Sequence, residues 1–351
     1  MRATEKSIAQ ACASIPERKI LMSNETIWWL AFGVFVFTML GLDLFVFHRK
    51  AHVIKLREAL IWSAVWISLA LLFCLGIFLT SGADRALKFL TAYLVEESLS
   101  VDNLFVFLMI FTYFSVPANA QHKVLFWGIL GALIMRGIFI VTGLAIVERL
   151  HWVIYVFGAF LVFTGLRLAL GKDRQVHPEK NPLLRLACRF MPVTSDYRKD
   201  HFFCFENGRR MATPLFLVVL VVETTDIVFA VDSIPAVLSI TLDPFVVYTS
   251  NIFAILGLRA IYFALAGATL HLRYLPFGLA AILTFLGLKM ITSGFYKLPT
   301  VAALGAVVGI LTIAIVASIL RPKQKKLPHS APSDTAERHF TPVCEVEDKN
   351  Q

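Results

Sequence analysis

The sequence predicts an all-helical, polytopic membrane protein of nine transmembrane helices that contains two inverted three-helix repeats. Three observations predict it. The 351 residues are 58% hydrophobic and 16% charged, with a mean hydropathy of +0.72, whereas a soluble domain is roughly 45–50% apolar and about a quarter charged. The apolar residues come in runs of about 20 and not in alternation. The few intramembrane acids fall in two clusters that align with each other.

Nine runs define the spans, at about 25–47, 59–80, 87–113, 124–146, 151–171, 212–239, 245–268, 275–294 and 299–320. The first opens at TIWWLAF and stops before Arg49 and Lys50. Short polar connectors separate the next four, and a polar, basic connector at about 172–211 precedes the sixth. Residues 1–24 form a polar segment without an apolar signal-peptide core, so no cleaved signal is expected. Met22 stands directly before SNETIWWLAF, which leaves translation starting at either Met1 or Met22. Residues 25–320 make the transmembrane domain, and the charged, Pro- and Ser-containing tail 321–351 is expected to be disordered and cytoplasmic.

The net charge of +9 does not imply nucleic acid, because Lys and Arg lie almost entirely in loops and tails, where they orient the protein and meet anionic lipid. Arg49, Lys50, Lys55, Arg57, Lys123, the 172–211 connector, Arg273, Arg321, Lys323, Lys325 and Lys326 lie on one side. Arg85, Lys88, Arg149 and Lys297 lie on the other. The positive-inside bias puts the connector and C-terminus in the cytoplasm and the N-terminus outside. The five cysteines lack CxxC spacing, so neither a disulfide framework nor a thiolate metal site follows.

EESLSVDNLFVF from Glu96 aligns with DIVFAVDSIPAV from Asp226, superposing Asp102 on Asp232 and Asn103 on Ser233. One span later Arg136-GIFI matches Arg259-AIYF, and one later again Gly165-Leu166-Arg167 matches Gly287-Leu288-Lys289. Repeat 1 covers about 87–171 and repeat 2 about 212–294. The third span runs outside to inside and the sixth inside to outside, the inverted arrangement of many secondary transporters.

The candidate cation ligands are Glu96, Asp102, Glu223, Asp226 and Asp232, with Asn103, Ser233, Glu97 and Asp43 in support. Charges in the hydrocarbon core are costly and mark function by default. Glu223 and Asp226, three apart, share a helix face. Glu96 and Asp102, like Asp226 and Asp232, lie about 120° apart on a helix, so they need a wide cavity or a break. Pro235 offers one, since it frees the carbonyl of Val231 beside Asp232. Oxygen ligands suit manganese, magnesium or calcium better than zinc or copper, and proton exchange is a natural counter-flux.

The plain alternative is that each acid is structurally paired to Arg136 or Arg259, but two arginines cannot neutralise five or six acids. Arg136 and Arg259 are expected to balance charge or gate, because a fixed cation repels a cationic substrate. Glu97 faces the site, another helix or water. Asp43 marks either a cytoplasmic entrance or a helix end. Arg167 and Lys289 are expected to snorkel.

At these residues the chain resembles the TerC/Alx family of integral membrane proteins, nearest its Alx branch. The resemblance runs from Asn24 to about Arg321 through LGLDLFVFHRKAHVIKLREALIWSAVWISLAL, EESLSVDNLFVF and ETTDIVFAVDSIPAVL. It implies an inner-membrane protein of nine helices with two inverted repeats and a role in manganese homeostasis as an exporter, tellurite resistance being a label for other members. It also implies that Glu96, Asp102, Glu223, Asp226 and Asp232 are the functional acids.

The expected function is therefore export of a divalent cation, manganese first, by alternating access, with no resident cofactor. The expected partners are the ion and membrane lipid, with a homo-oligomer or membrane partner protein open to it. The rivals are an exporter of organic cations or amino acids and a non-transporting scaffold that docks through 172–211. An enzyme is not expected, since no Gly-rich nucleotide loop, nucleophile elbow or HExxH occurs.

Overall fold

The computed structural model describes residues 26–39, 41, 56–170, 182–194, 197, 201–206, 209–267, 274–296 and 298–320. Asp43, the polar segment 1–24, the tail 321–351 and the basic residues Arg49, Lys50, Lys55, Arg273 and Lys297 lie outside them. The chain divides into two compact units, Met1–His52 and Val53–Gln351. The first contributes one apolar helix, α1 (Thr26–Met39).

The second unit contains α2 (Leu56–Ser81), α3 (Ala83–Tyr113), α4 (Ala118–Arg149), α5 (Val153–Ala169), α6 (Pro182–Phe190), β1 (Phe203–Glu206), β2 (Arg209–Ala212), α7 (Pro214–Leu238), α8 (Pro244–Gly267), α9 (Leu275–Thr292) and α10 (Thr300–Leu320). Long apolar segments form helices because hydrocarbon offers backbone amides and carbonyls no other partners. Six of them, α2, α4, α7, α8, α9 and α10, are long and apolar enough to cross a membrane by length and composition. At 31 residues α3 has the length but carries Asp84, Arg85, Lys88, Glu96, Glu97 and Asp102, whereas α5 has 17 residues.

Two flanking helices bury only narrow stripes. On α2 these are Ala59, Ser63, Ala70 and Ile77, and on α10 they are Ala303, Val307, Ala314 and Ser318. Small residues at this spacing let backbones approach, while the wider faces carry Leu, Ile, Val and Phe for lipid. The inner bundle is different. There α3 buries a face that includes Phe89, Ala92, Glu96, Ser100, Asn103, Leu104 and Phe107. Gly82, at φ 89°, forms the junction between α2 and α3, a conformation that favours glycine.

Within the bundle α3 packs on α8 and α4 on α7; α3 also meets α7, α4 meets α8, and α5 crosses α9. This pairing is unchanged when α3, α4 and α5 are exchanged for α7, α8 and α9. At one end of the bundle Arg85, in the first turn of α3, donates to Asp243 at 2.7 Å. Asp243 follows α7 and in turn accepts the amide of Phe245 in the first turn of α8, at 3.0 Å. Also at this end, Lys289 near the close of α9 donates to the carbonyl of Ser239, at 3.1 Å. At the opposite end the hydroxyl of Tyr197 donates to the carbonyl of Phe114, just past α3, at 2.6 Å. Burial pushes the Tyr197 hydroxyl above its ordinary pKa and keeps it a donor. The Tyr197 segment leads through the hairpin to Thr213, the residue before α7. Hence α3 and α7 run antiparallel, as do α4 and α8, and α5 and α9.

The connector is more than a polar loop. It holds α6, which packs on α7, and an antiparallel hairpin in which Phe203 pairs with Ala212 and Glu206 with Arg209.

One expectation is corrected. Pro235 does not unwind the chain near Asp232, because α7 runs unbroken from Pro214 to Leu238. The proline lies in the last turn, where the carbonyl of Pro235 still accepts the amide of Ser239 at 3.0 Å. A proline so placed removes a single ladder bond and leaves the turns on either side intact.

Candidate functional site

Four helices bring their polar residues together at the centre of the bundle. Arg136 of α4, 1% exposed, is the hub. Its Nη1 donates to Oε2 of Glu96 on α3 at 2.8 Å. Its Nε and Nη2 donate to Oδ2 and Oδ1 of Asp226 on α7 at 3.3 and 3.2 Å. Nη1 also reaches Oγ of Ser233, about two turns along α7 on the same face as Asp226, at 3.5 Å. The other oxygen of Glu96, Oε1, accepts from Nδ2 of Asn251 on α8 at 2.8 Å. Both carboxylates are buried, Glu96 completely.

The planar fork of Arg136 suits this role, since it offers several donors in fixed directions and stays charged in any environment. Removing three charges from water is expensive, and the cluster is tolerable only because each carboxylate is both paired and hydrogen-bonded. One cation between two anions still leaves a formal excess of negative charge.

The remaining predicted residues surround this cluster. Glu223 lies one turn before Asp226 on α7, with its carboxylate against Gly131 of α4, where any side chain would occupy the same space. Asp232 and Asn103 are buried on α7 and α3, and Asp102 is half-buried on α3. Because α3 and α7 are antiparallel, Asp102 and Asp232 lie on opposite sides of the cluster along the bundle axis. Arg259 of α8 is buried and lines a cavity together with Asp226, Gly128, Ala132, Val222 and Leu104. The cavity has a volume of about 20 Å³, which is room for one water molecule. Glu97 brings its Oε1 near Gly257 of α8, and its Oε2 is buried without a hydrogen-bond partner.

The structure thus joins Glu96, Asp226 and Ser233 through Arg136 and leaves Glu97 on another face. Among the described residues no three Asp, Glu, His or Cys side chains converge as a metal ion would require. In this conformer an arginine fills the place between the acids.

Sequence reasoning missed Asn251 and Gly131. Asn251 sits in FVVYTSNIF, where an amide within an apolar run was the available signal. Gly131 acts through the side chain it lacks, and nothing in the sequence distinguishes it from the neighbouring Gly128.

The family model for the integral membrane protein TerC family matches residues 81–326. The chain is 53% identical over 293 residues to the membrane protein STKORF319 of Myxococcus xanthus, covering 84% of this chain and 92% of that one. It is 46% identical over 297 residues to a protein of Escherichia coli strain K12 named membrane-bound redox modulator Alx, covering 82% and 92% of the two chains. A membrane protein of Rickettsia bellii is 35% identical over 293 residues, 84% of this chain and 97% of that one. No solved structure matches.

Proposed function

The chain belongs to the TerC family of integral membrane proteins, and on that premise we propose that it is a transporter of hard divalent cations, manganese first, working by alternating access. The observation that carries this reading is the imbalance of charge inside the bundle. Arg136 is shared between Glu96 and Asp226, and among the described residues Arg259 is the other buried arginine of the four central helices. Against these two stand Glu96, Glu97, Asp102, Glu223, Asp226 and Asp232, all at least half-buried. A mobile cation or exchangeable protons must compensate the rest. Among the described residues of the cluster the available ligand atoms are oxygens, which favours a hard ion.

The architecture supports the same reading. The two triplets α3–α5 and α7–α9 align in sequence and run in opposite senses, so we take them as inverted repeats within a nine-span, inner-membrane protein with its connector in the cytoplasm. On this reading the cation replaces Arg136 at one or both carboxylates, with Asp102 and Asp232 receiving it from either side. Protons leaving the acids provide the counter-flux. The protein is then a carrier and has no enzymatic step.

The test is uptake of Mn²⁺ into proteoliposomes loaded with a metal-sensitive dye, with and without a pH gradient. Wild type should accumulate the ion, and Asp102→Asn and Asp232→Asn should not. If both variants transport like wild type, the site assignment fails.

A second reading, transport of an organic cation or amino acid, is favoured by one observation: Asp226 and Arg259 line the same cavity, as a zwitterion would require. The cavity volume argues against it, since only a water-sized species fits this conformer. A thermal shift induced by Mn²⁺ in detergent would favour the metal, and a shift induced only by amino acids would favour the rival.

A further inference from the structure

The two ends of the bundle are fastened in matching places by different chemistry. At one end Arg85, in the first turn of α3, makes a two-pronged contact with Asp243 between α7 and α8, at 2.7 and 3.2 Å. At the other end Tyr197, in the segment that leads into α7, donates to the carbonyl of Phe114 between α3 and α4, at 2.6 Å. Each tie joins the start of one triplet to the first inter-helix turn of the other. Exchanging the triplets therefore exchanges the ties.

The tie at Arg85 can part without loss of its acceptor's geometry. Asp243 is fixed by its own turn: its carboxylate accepts the amides of Phe245 and Val246 at 3.0 and 3.3 Å, and its amide donates to the hydroxyl of Thr241 at 3.1 Å. Arg85 also lies over the Phe245 ring, 5.5 Å from the centroid. Both charged side chains are 27% exposed, whereas those of the Arg136 pairs are at most 6% exposed. Water can take over the charges of Arg85 and Asp243 when they separate, and a pair so exposed is weak enough to break repeatedly.

The acids lie in order behind these ties. Along α7, Asp232 stands between Asp226 and the turn that holds Asp243; along α3, Asp102 stands between Glu96 and Phe114. Building on the transport reading above, we propose that Arg85–Asp243 and Tyr197–Phe114 are the two gates to the central cluster, each closing the path that passes one of these acids. This conformer has both closed, in keeping with a central cavity of about 20 Å³. An ion arriving past Asp232 has to part Arg85 from Asp243, and one arriving past Asp102 has to part Tyr197 from Phe114. Opening at one end leaves the other tie intact, as alternating access requires.

The experiment reads access to the cluster directly. Ser233→Cys places a thiol of similar size beside Arg136. Full-length protein in oriented vesicles is treated with a membrane-impermeant maleimide on either face, and modification at that position is read by peptide mass spectrometry. Labelling should be slow from both faces. Asp243→Asn keeps an acceptor for the α8 amides and loses the ion pair; it should speed labelling about fivefold, and only from the face nearer Arg85. Arg85→Gln should do the same, Arg85→Lys less so, and the double variant Arg85→Gln/Asp243→Asn should exceed neither single one. Tyr197→Phe should speed labelling only from the opposite face. Labelling that is unchanged in Asp243→Asn, or that rises equally from both faces, overturns the proposal. Because labelling needs no cargo, it stands apart from Mn²⁺ uptake: gated labelling in a protein that moves no Mn²⁺ would sustain the gates and overturn the ion assigned above.

Discussion

Gly158 of α5 and Gly287 of α9 meet backbone to backbone. A Cβ on Gly158 would stand 2.9 Å from the carbonyl oxygen of Gly287, and a Cβ on Gly287 would stand 2.6 Å from that of Gly158. Gly165 is pressed in the same way against the carbonyl of Ala280, at 2.7 Å. The two helices therefore touch along main chain, which cannot rotate aside as a side chain can.

Gly287→Val should accordingly force the helices apart and destabilise the protein by about 1–3 kcal/mol, the usual cost of overpacking. Gly305→Ala on α10, where nothing lies within 4 Å of the added carbon, should change little. Thermal unfolding in detergent measures both. Equal unfolding temperatures for the two variants would count against the contact.

Arg136→Met should be more damaging, because it leaves Glu96 and Asp226 buried without their cation. Losing one partner of a buried pair costs about 3–5 kcal/mol. The triple variant R136M/E96Q/D226N removes the anions as well and should regain most of that stability while remaining inactive in Mn²⁺ uptake. A single variant as stable as wild type would show that the cluster is not what it bridges.

Gly131→Ala tests placement apart from stability. The added methyl would occupy the space of the Glu223 carboxylate, and a long side chain can swing away at small energetic cost. Unfolding should stay within about 1 kcal/mol of wild type, while Mn²⁺ uptake drops by roughly tenfold. Glu223→Gln should show a comparable transport loss. Normal uptake in both would remove Glu223 from the path.

Asn251→Leu keeps volume and removes the amide that donates to Oε1 of Glu96. One oxygen of a buried carboxylate then lacks its donor, at a cost of about 1–3 kcal/mol. Chemical unfolding of Asn251→Leu alone and in combination with Glu96→Gln gives the coupling directly. Additive losses would mean that the bond does not matter to the fold.

Much of this was legible in the chain because the lipid environment is so restrictive. Long apolar runs must be helices, and the acids inside them must find partners, so pairing of some of them with Arg136 or Arg259 was an open alternative from burial alone. What pairwise matching could not show is which arginine takes which acid: Arg136 takes both, and Arg259 turns to a cavity shared with Asp226. The break expected at Pro235 failed because a proline near a helix end disturbs little. Sequence also did not indicate that 182–212 would contain a helix and hairpin, since its short strands FCFE and RRMA carry weak periodic signal. The candidate acids Asp102 and Asp232 were aligned in sequence, and their spread along the bundle axis became clear only once α3 and α7 were seen to be antiparallel.

Arg136 belongs to α4, next to its own triplet's Glu96, yet grips Asp226 from the other triplet. That single guanidinium is a clasp between the halves. On the transport reading proposed above, an unloaded protein that rocked open would strip one acid of its counter-charge, so idle cycling would be energetically discouraged. A doubly charged ion would then relieve the clasp by satisfying both acids at once, which would tie movement to cargo.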